Sequence, residues 1–370
     1  MSLLNPGLSD LSQSVFASLG VPGVANPLGL EPSRRAAILL IDGMGAQALS
    51  EYVATRSDYE IFHEAQQLPG LTSHFPSTTV TNLTSLGTGL LPGVHGALGY
   101  TVRIPESGTP GKLLNALKWD LDIDPTLWQP HQTLFEKAYA AGLHVTNIGD
   151  KRYAGSGFTN ASLRGGDYLA AGKVSELAAQ AAVALAEPNS FAYIYINVLD
   201  HAGHNCGVGS EEWLTALSYV AELIRALRGA LPRNTSLYIT ADHGMINAGE
   251  QIILGQDNPL MQNVTLVGGE PRVRHIYVAK GSENESVARW REFLGDRASV
   301  YSKAEAISAG LFGPEVSEAS NARLGDLVAI AHQELVLLDP SRAEKEAAII
   351  GQHGGITAAE VEIPLLKLSL

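Results

Sequence analysis

Three acids in this sequence stand where apolar runs end. Asp42 follows Ala37-Ile38-Leu39-Leu40-Ile41, Asp200 comes just past Phe191 to Val198, and Asp242 just past Ser236 to Thr240. Histidines accompany them: His204 four residues after Asp200, His243 adjacent to Asp242, and His353 before a glycine pair. An Asp and a His four apart lie on one side of a helical turn, a spacing that suits two ligands of one metal ion. Taken singly, each has a plainer reading: a capping Asp with a surface His, an Asp in a turn, a loop His. Taken together they are harder to dismiss. In an open α/β sheet, ligands bind outside the carboxyl ends of the strands, and acids gathered there repel one another unless metal ions neutralise them. Mixed carboxylate and imidazole donors suit Zn²⁺, and six or seven donors are too many for one tetrahedral ion. Two divalent ions are expected, zinc ahead of manganese or iron.

The elements that must position these residues read as alternating strands and helices. Five apolar residues before Asp42 predict a strand buried on both faces, with a helix over 46 to 56. A helix over 133 to 141, a strand over 143 to 148, an Ala-rich helix over 174 to 186 and a helix over 211 to 229 continue the pattern. Such alternation predicts a doubly wound, mostly parallel sheet flanked by helices. Residues 71 to 82 are dense in hydroxyls and lead into 83 to 90, where Gly87 and Gly89 weaken any helix. Residues 93 to 130 read as an excursion over one face of the sheet. A smaller α+β insertion is expected over 262 to 340 within a single domain of 1 to 370, the chain returning to the main sheet at Gly351 to Gly355.

Composition limits the functions. The net charge of -13 argues against a nucleic-acid polymer as partner, and a small anionic substrate then needs bound cations. No stretch reaches the ~18 apolar residues of a membrane span, and the Met1-Ser2-Leu3-Leu4 start has neither the basic nor the apolar part of a secretory signal. The single cysteine, Cys206, allows no disulfide within the chain and reads as a small buried filler, so the cytoplasm is the expected setting.

The sequence resembles the alkaline phosphatase superfamily, most closely its nucleotide pyrophosphatase/phosphodiesterase branch. The resemblance rests on Leu40-Ile41-Asp42-Gly43-Met44, Phe75-Pro76-Ser77-Thr78-Thr79, Thr88-Gly89-Leu90 with Pro92 and His95-Gly96, Asp200 to His204, Ala241 to Met245, and His353-Gly354. It implies an alkaline-phosphatase-like fold. It also implies that Asp200, His204 and His353 hold one zinc, that Asp42, Asp242 and His243 hold the other with Thr79, and that Thr79 is the nucleophile. The expected reaction is hydrolysis of phosphate diesters or nucleotide pyrophosphate bonds through a phospho-threonine intermediate, on a small phosphorylated substrate.

One departure concerns phosphate recognition. The branch carries an Asn near the position of Tyr100, so Asn82 or the Tyr100 hydroxyl is the expected replacement. Arg152, Tyr153 and Phe158, in a Gly/Ser-rich loop, are candidates for contacting the leaving group, whereas Asp150 reads as a loop or capping residue. His74, His95 and His201 read as structural or as partners of the ligands. A phosphomonoesterase or an enzyme resembling phosphonoacetate hydrolase is the alternative with the same metal site, and a non-catalytic metal-binding protein comes last. Nothing in the sequence indicates an oligomeric state.

Overall fold

The computed structural model describes residues 5–54, 59–105, 111–119 and 122–370. The Met1 to Leu4 start, the end of the helix expected over 46 to 56 and parts of the 93 to 130 excursion lie outside the described residues.

A central sheet of seven strands is built from β1 (Arg35–Ile41), β2 (Gln66–Gln67), β3 (His144–Gly149), β4 (Asp167–Ala170), β5 (Ser190–Ile196), β6 (Thr235–Thr240) and β7 (Leu365–Ser369), in the order β2-β7-β6-β1-β5-β3-β4. β1 lies between β5 and β6 and runs parallel to both. β3 and β4 extend the parallel part, and β7 pairs antiparallel with β6 and with β2. The sheet is therefore mixed, flanked by helices, as the α/β pattern predicts. Residues Ala36 to Ile41 have no solvent exposure, which accounts for the unbroken apolar run of β1.

Most expected elements appear within a residue or two of their predicted bounds. Two differ. Thr79–Thr88 is one continuous helix in which every residue is buried, and it ends on Gly89 in the left-handed conformation. Packing overrides the weak propensity of Gly87, whose missing side chain is required: a Cβ there would stand 1.8 Å from the Ser162 carbonyl oxygen. The expected return at 351 to 355 is corrected as well. Gly351–Gln352 pairs with Ile246–Asn247 in a two-stranded ribbon, and the chain rejoins the central sheet at β7.

Residues 264 to 331 carry a second, antiparallel sheet of four strands, Val264–Glu270, Val273–Val278, Leu327–Ala331 and Ala298–Ser302, backed by the helix Glu283–Leu294. Among the described residues no helix is long and apolar enough to cross a membrane.

Candidate metal centre and cleft

Parallel strands end on the same edge of a sheet, and this brings the distant acids together. Asp42 directly follows β1, Asp242 follows β6 by two residues, and β5 runs into the helix Val198–Cys206, which carries Asp200 in its first turn and His204 one turn later. Gly43 lets the two central ends meet. It adopts φ +76°, and a Cβ there would lie 3.0 Å from the Asp200 Cα, while the Asp200 amide donates to the Asp42 carbonyl at 3.1 Å. Thr79 is the first residue of its helix, with Thr78 extended before it. His353 reaches the same place from the other side: its loop bridges Ser77 and Gly354, and its Nδ1 donates to the Ser77 carbonyl at 3.0 Å.

The seven residues converge as two overlapping groups. Ligating atoms of Asp42, Asp242 and His243 lie within 4.8 Å of one another, and so do those of Asp200, His243 and His353. His204 Nε2 adds to the second group, 3.2 Å from Asp200 Oδ1. Thr79 Oγ1 stands 3.2 Å from His243 Nε2 and donates to Asp42 Oδ2 at 3.4 Å. The rings of His243 and His353 stack with centroids 3.6 Å apart.

The donor set fits metal ions for a specific reason. Each of the three imidazoles bonds a backbone carbonyl through Nδ1: His243 to Gly244 at 3.0 Å, His204 to Gly351 at 2.7 Å, and His353 to Ser77. A carbonyl only accepts, so in the neutral imidazole the proton sits on Nδ1 and Nε2 turns its lone pair inward. Those lone pairs face carboxylate oxygens at 3.2 to 3.7 Å. Asp42 Oδ1, Asp200 Oδ1 and Asp242 Oδ2 are buried with no hydrogen-bond partner. Lone pair against lone pair in a buried site is repulsive, and a cation between them removes the repulsion. The protonation equilibria show the same conflict. Burial, then the charges of Asp242 and Asp200, push the Asp42 carboxyl well above the usual range, and burial raises Asp242. Burial and the neighbouring His243 and His204 hold His353 well below the usual imidazole value.

A cleft of about 540 Å³ opens from this cluster. Tyr100, Arg152, Tyr153 and Phe158 line it, as do Asn147, Tyr168, Tyr193, Tyr195 and Glu270. Asn82 does not. Its amide is spent on the loop before the Thr79 helix, accepting from the His74 N–H at 2.7 Å and donating to the carbonyls of His74, Pro76 and Thr78. The expectation that Asn82 contacts substrate is thus corrected: it braces the loop before the Thr79 helix. Arg152 is exposed and paired with Asp150, which caps the turn through the Arg152 N–H at 2.9 Å. His74 and His95 bond Ser9 and Ser85, and neither touches the cluster.

Sequence reasoning missed Tyr195. Its hydroxyl donates a short hydrogen bond to Asp42 Oδ2. The signal was there: Tyr193 and Tyr195 place two phenols on one face of a strand that otherwise reads as apolar and leads into the Asp200 motif.

A comparison with curated proteins returned no match. Among solved structures, the chain is similar to murine ectonucleotide pyrophosphatase/phosphodiesterase 5 in complex with AMP, at 20% identity and TM-score 0.72, over 90% of this chain and 87% of that one. The human protein of the same name matches at 18% identity and TM-score 0.69, over 90% and 87%. Phosphonoacetate hydrolase from Sinorhizobium meliloti, in complex with phosphonoformate, matches at 18% identity and TM-score 0.66, over 90% of each chain. Similarity at these identities establishes the fold. The family profile of type I phosphodiesterase / nucleotide pyrophosphatase matches residues 36–356, nearly the whole chain, and with the strand-end acids and histidines in place the chain belongs to that family.

Proposed function

We propose that this chain is a two-metal hydrolase of phosphate diesters or nucleotide pyrophosphate bonds with Thr79 as its nucleophile. The observation that carries the reading is the set of unpartnered carboxylate oxygens and inward-facing Nε2 lone pairs around the Thr79 hydroxyl. Asp200, His204 and His353 would hold one ion, and Asp42, Asp242 and His243 with Thr79 the other. Divalent ions bound there, zinc being the best match to these donors, favour the deprotonated hydroxyl and offset charge on the phosphoryl oxygens.

The protein's own residues supply the rest. Thr79 is stiff at χ1 and fixed in the first turn of a fully buried helix, so its oxygen is aimed before substrate arrives. Its proton is directed at Asp42 Oδ2. Attack forms the Oγ1–P bond and breaks the bond to the leaving oxygen. Attack by water then forms a new P–O bond and breaks Oγ1–P, and Thr79 regains its proton. The first turn of the helix also presents backbone N–H groups without partners inside the helix, a favourable place for a phosphoryl oxygen.

The lining of the cleft favours a diester. Apart from the metal-facing histidines, Arg152 is the one basic residue among the described lining residues, and it already pairs with Asp150. A dianionic monoester or a phosphonate with a second acid group would place extra charge among phenols and apolar side chains. The lone Cys206 supports a reducing, cytoplasmic setting.

Hydrolysis of bis(p-nitrophenyl) phosphate against p-nitrophenyl phosphate tests this. The zinc-loaded protein should prefer the diester, lose activity on chelation and recover it with zinc. Thr79→Ala should lower kcat by at least about 10³-fold, since a nucleophile has no substitute. Full activity in Thr79→Ala sinks the mechanism, and a strong preference for the monoester sinks the diester assignment.

A further inference from the structure

One polar atom in the cleft wall is both unpartnered and open. Gln352 lies in the ribbon between Gly351, whose carbonyl accepts from His204 Nδ1, and His353. The ribbon is seated on the helix that carries Asp200 and His204: a Cβ at Gly351 would stand 2.5 Å from the Gly203 carbonyl oxygen, and the Ile350 N–H donates to the His204 carbonyl at 2.8 Å. Gln352 lines the cleft and is only 3% exposed. Its amide nitrogen donates to the carbonyls of Glu346 at 3.4 Å and Ile349 at 3.2 Å. That fixes the amide orientation, because the flipped form would set oxygen against oxygen. Oε1 then meets no donor among the described residues and, unlike the sealed Asp42 Oδ1 and Asp242 Oδ2, it reaches the space of the cleft.

What this atom can hold follows from its chemistry. A carbonyl oxygen accepts and never donates, so it repels the anionic oxygens of a phosphoryl group and of a departing alkoxide. It suits a ligand that brings an O–H or N–H. In-line displacement at phosphorus puts the entering and leaving oxygens on opposite faces. Thr79 stands beside Asp42 and His243, so the opposite face lies toward Asp200, His204 and His353, the group that flanks Gln352. The water of the second step enters there.

We infer, on the phospho-threonine reading of Thr79, that Gln352 Oε1 orients the water that frees the nucleophile by accepting a hydrogen bond from the O–H the water keeps. In that step the water oxygen bonds phosphorus as Oγ1–P breaks, and the electron pair of the broken bond returns to Oγ1. One water proton makes good the proton that Oγ1 takes up. The other stays on the new P–OH, hydrogen-bonded to Oε1, which turns the attacking lone pair toward phosphorus. Gln352 takes no proton and is a positioning residue.

Methanol separates this role from a structural one. It has a single O–H, so when it replaces water its methyl group faces Oε1 and the hydrogen bond is lost. The zinc-loaded protein is given bis(p-nitrophenyl) phosphate in aqueous methanol, and initial yields of methyl p-nitrophenyl phosphate and p-nitrophenyl phosphate are compared. Gln352→Met removes the acceptor at similar volume and should raise the methyl ester share about fivefold, the worth of one hydrogen bond. Acid-quenched Gln352→Met should also carry nitrophenyl phosphate on Thr79 in a larger fraction than wild type, while its zinc affinity, read with a chelating dye, stays within about twofold. Gln352→Glu keeps an acceptor oxygen and loses the amide donors, so its product ratio should stay within about twofold of wild type. The proposal falls if Gln352→Met leaves the ratio unchanged, or if Gln352→Glu shifts it as far, as a structural role would. A raised KM with an unmoved ratio assigns Oε1 to the substrate and also overturns it. Methyl ester formed at an unmoved ratio overturns this role alone, whereas absence of both methyl ester and modified Thr79 from wild type and variants overturns the phospho-threonine reading and this role with it.

Discussion

Asp42 is held by a phenol as well as by its strand. Tyr195 meets Asp42 because β1 and β5 run in register with Leu40 opposite Tyr195, which puts the hydroxyl one step below the strand end. The bond fixes which carboxylate oxygen faces Thr79 and which faces His243, so it orients a proposed metal ligand. Outer partners of this kind are worth about 10- to 100-fold in metal affinity or activity. Tyr195→Phe should therefore lower both zinc affinity and kcat by about that factor while leaving the fold intact, measured by competition with a chelating dye and by diester turnover. Values within twofold of wild type would show that the phenol is a bystander. The acids and histidines were legible in sequence because each follows a strong apolar run or a recognisable motif. Tyr193 and Tyr195 stood out only as two phenols on one face of an apolar strand; the bond from Tyr195 to Asp42 was not legible, because it depends on which strands become neighbours, and register is invisible in one chain read alone.

At the scale of elements, a buried ion pair ties the second sheet to the loop that carries His353. Arg272, between two strands of that sheet, donates through Nε and Nη2 to the two oxygens of Glu360 at 2.9 Å each, and both side chains are fully buried. Glu360 also accepts from the Gly355 N–H at 2.8 Å, two residues beyond His353. Removing one partner of such a pair leaves an uncompensated charge, typically destabilising by about 3 to 5 kcal/mol. Arg272→Met should show a loss of that order in urea unfolding, together with weaker zinc binding, because the His353 loop loses its anchor. An unchanged midpoint would mean that the pair adds no net stability. The helices and the long strands were readable from periodicity. The placement of 351 to 355 was not: a two-residue ribbon between glycines carries no period, and the short apolar β7 gives no sign that it pairs antiparallel with β6.

Across the whole molecule, stability and function compete at the cleft wall. Glu270, on the second sheet, accepts the Tyr100 N–H at 2.9 Å, and burial lifts its carboxyl from the ordinary 4.5 to about 7, partly opposed by that bond and by Arg274. Between those values the unfolded chain releases the proton and the folded chain keeps it, so stability falls as pH rises from 4.5 to about 7 and stays lowered above. The full penalty is about 3 kcal/mol. Glu270→Gln should thus gain little near pH 4.5 and of the order of 2 to 3 kcal/mol near pH 8, read from urea midpoints at the two pH values. An equal gain at both would assign the effect to packing. The parallel pairing that brings Asp42, Asp200 and Asp242 to one edge has a kinetic side too. β1 cannot complete its hydrogen bonds until β5 and β6 have been found by long loop closures, and His353 comes from later still in the chain. Contacts so distant in sequence form slowly. Zinc capture should accordingly be among the last events of refolding, lagging the return of helical signal, so that a zinc-sensitive dye becomes a clock for the completion of the fold.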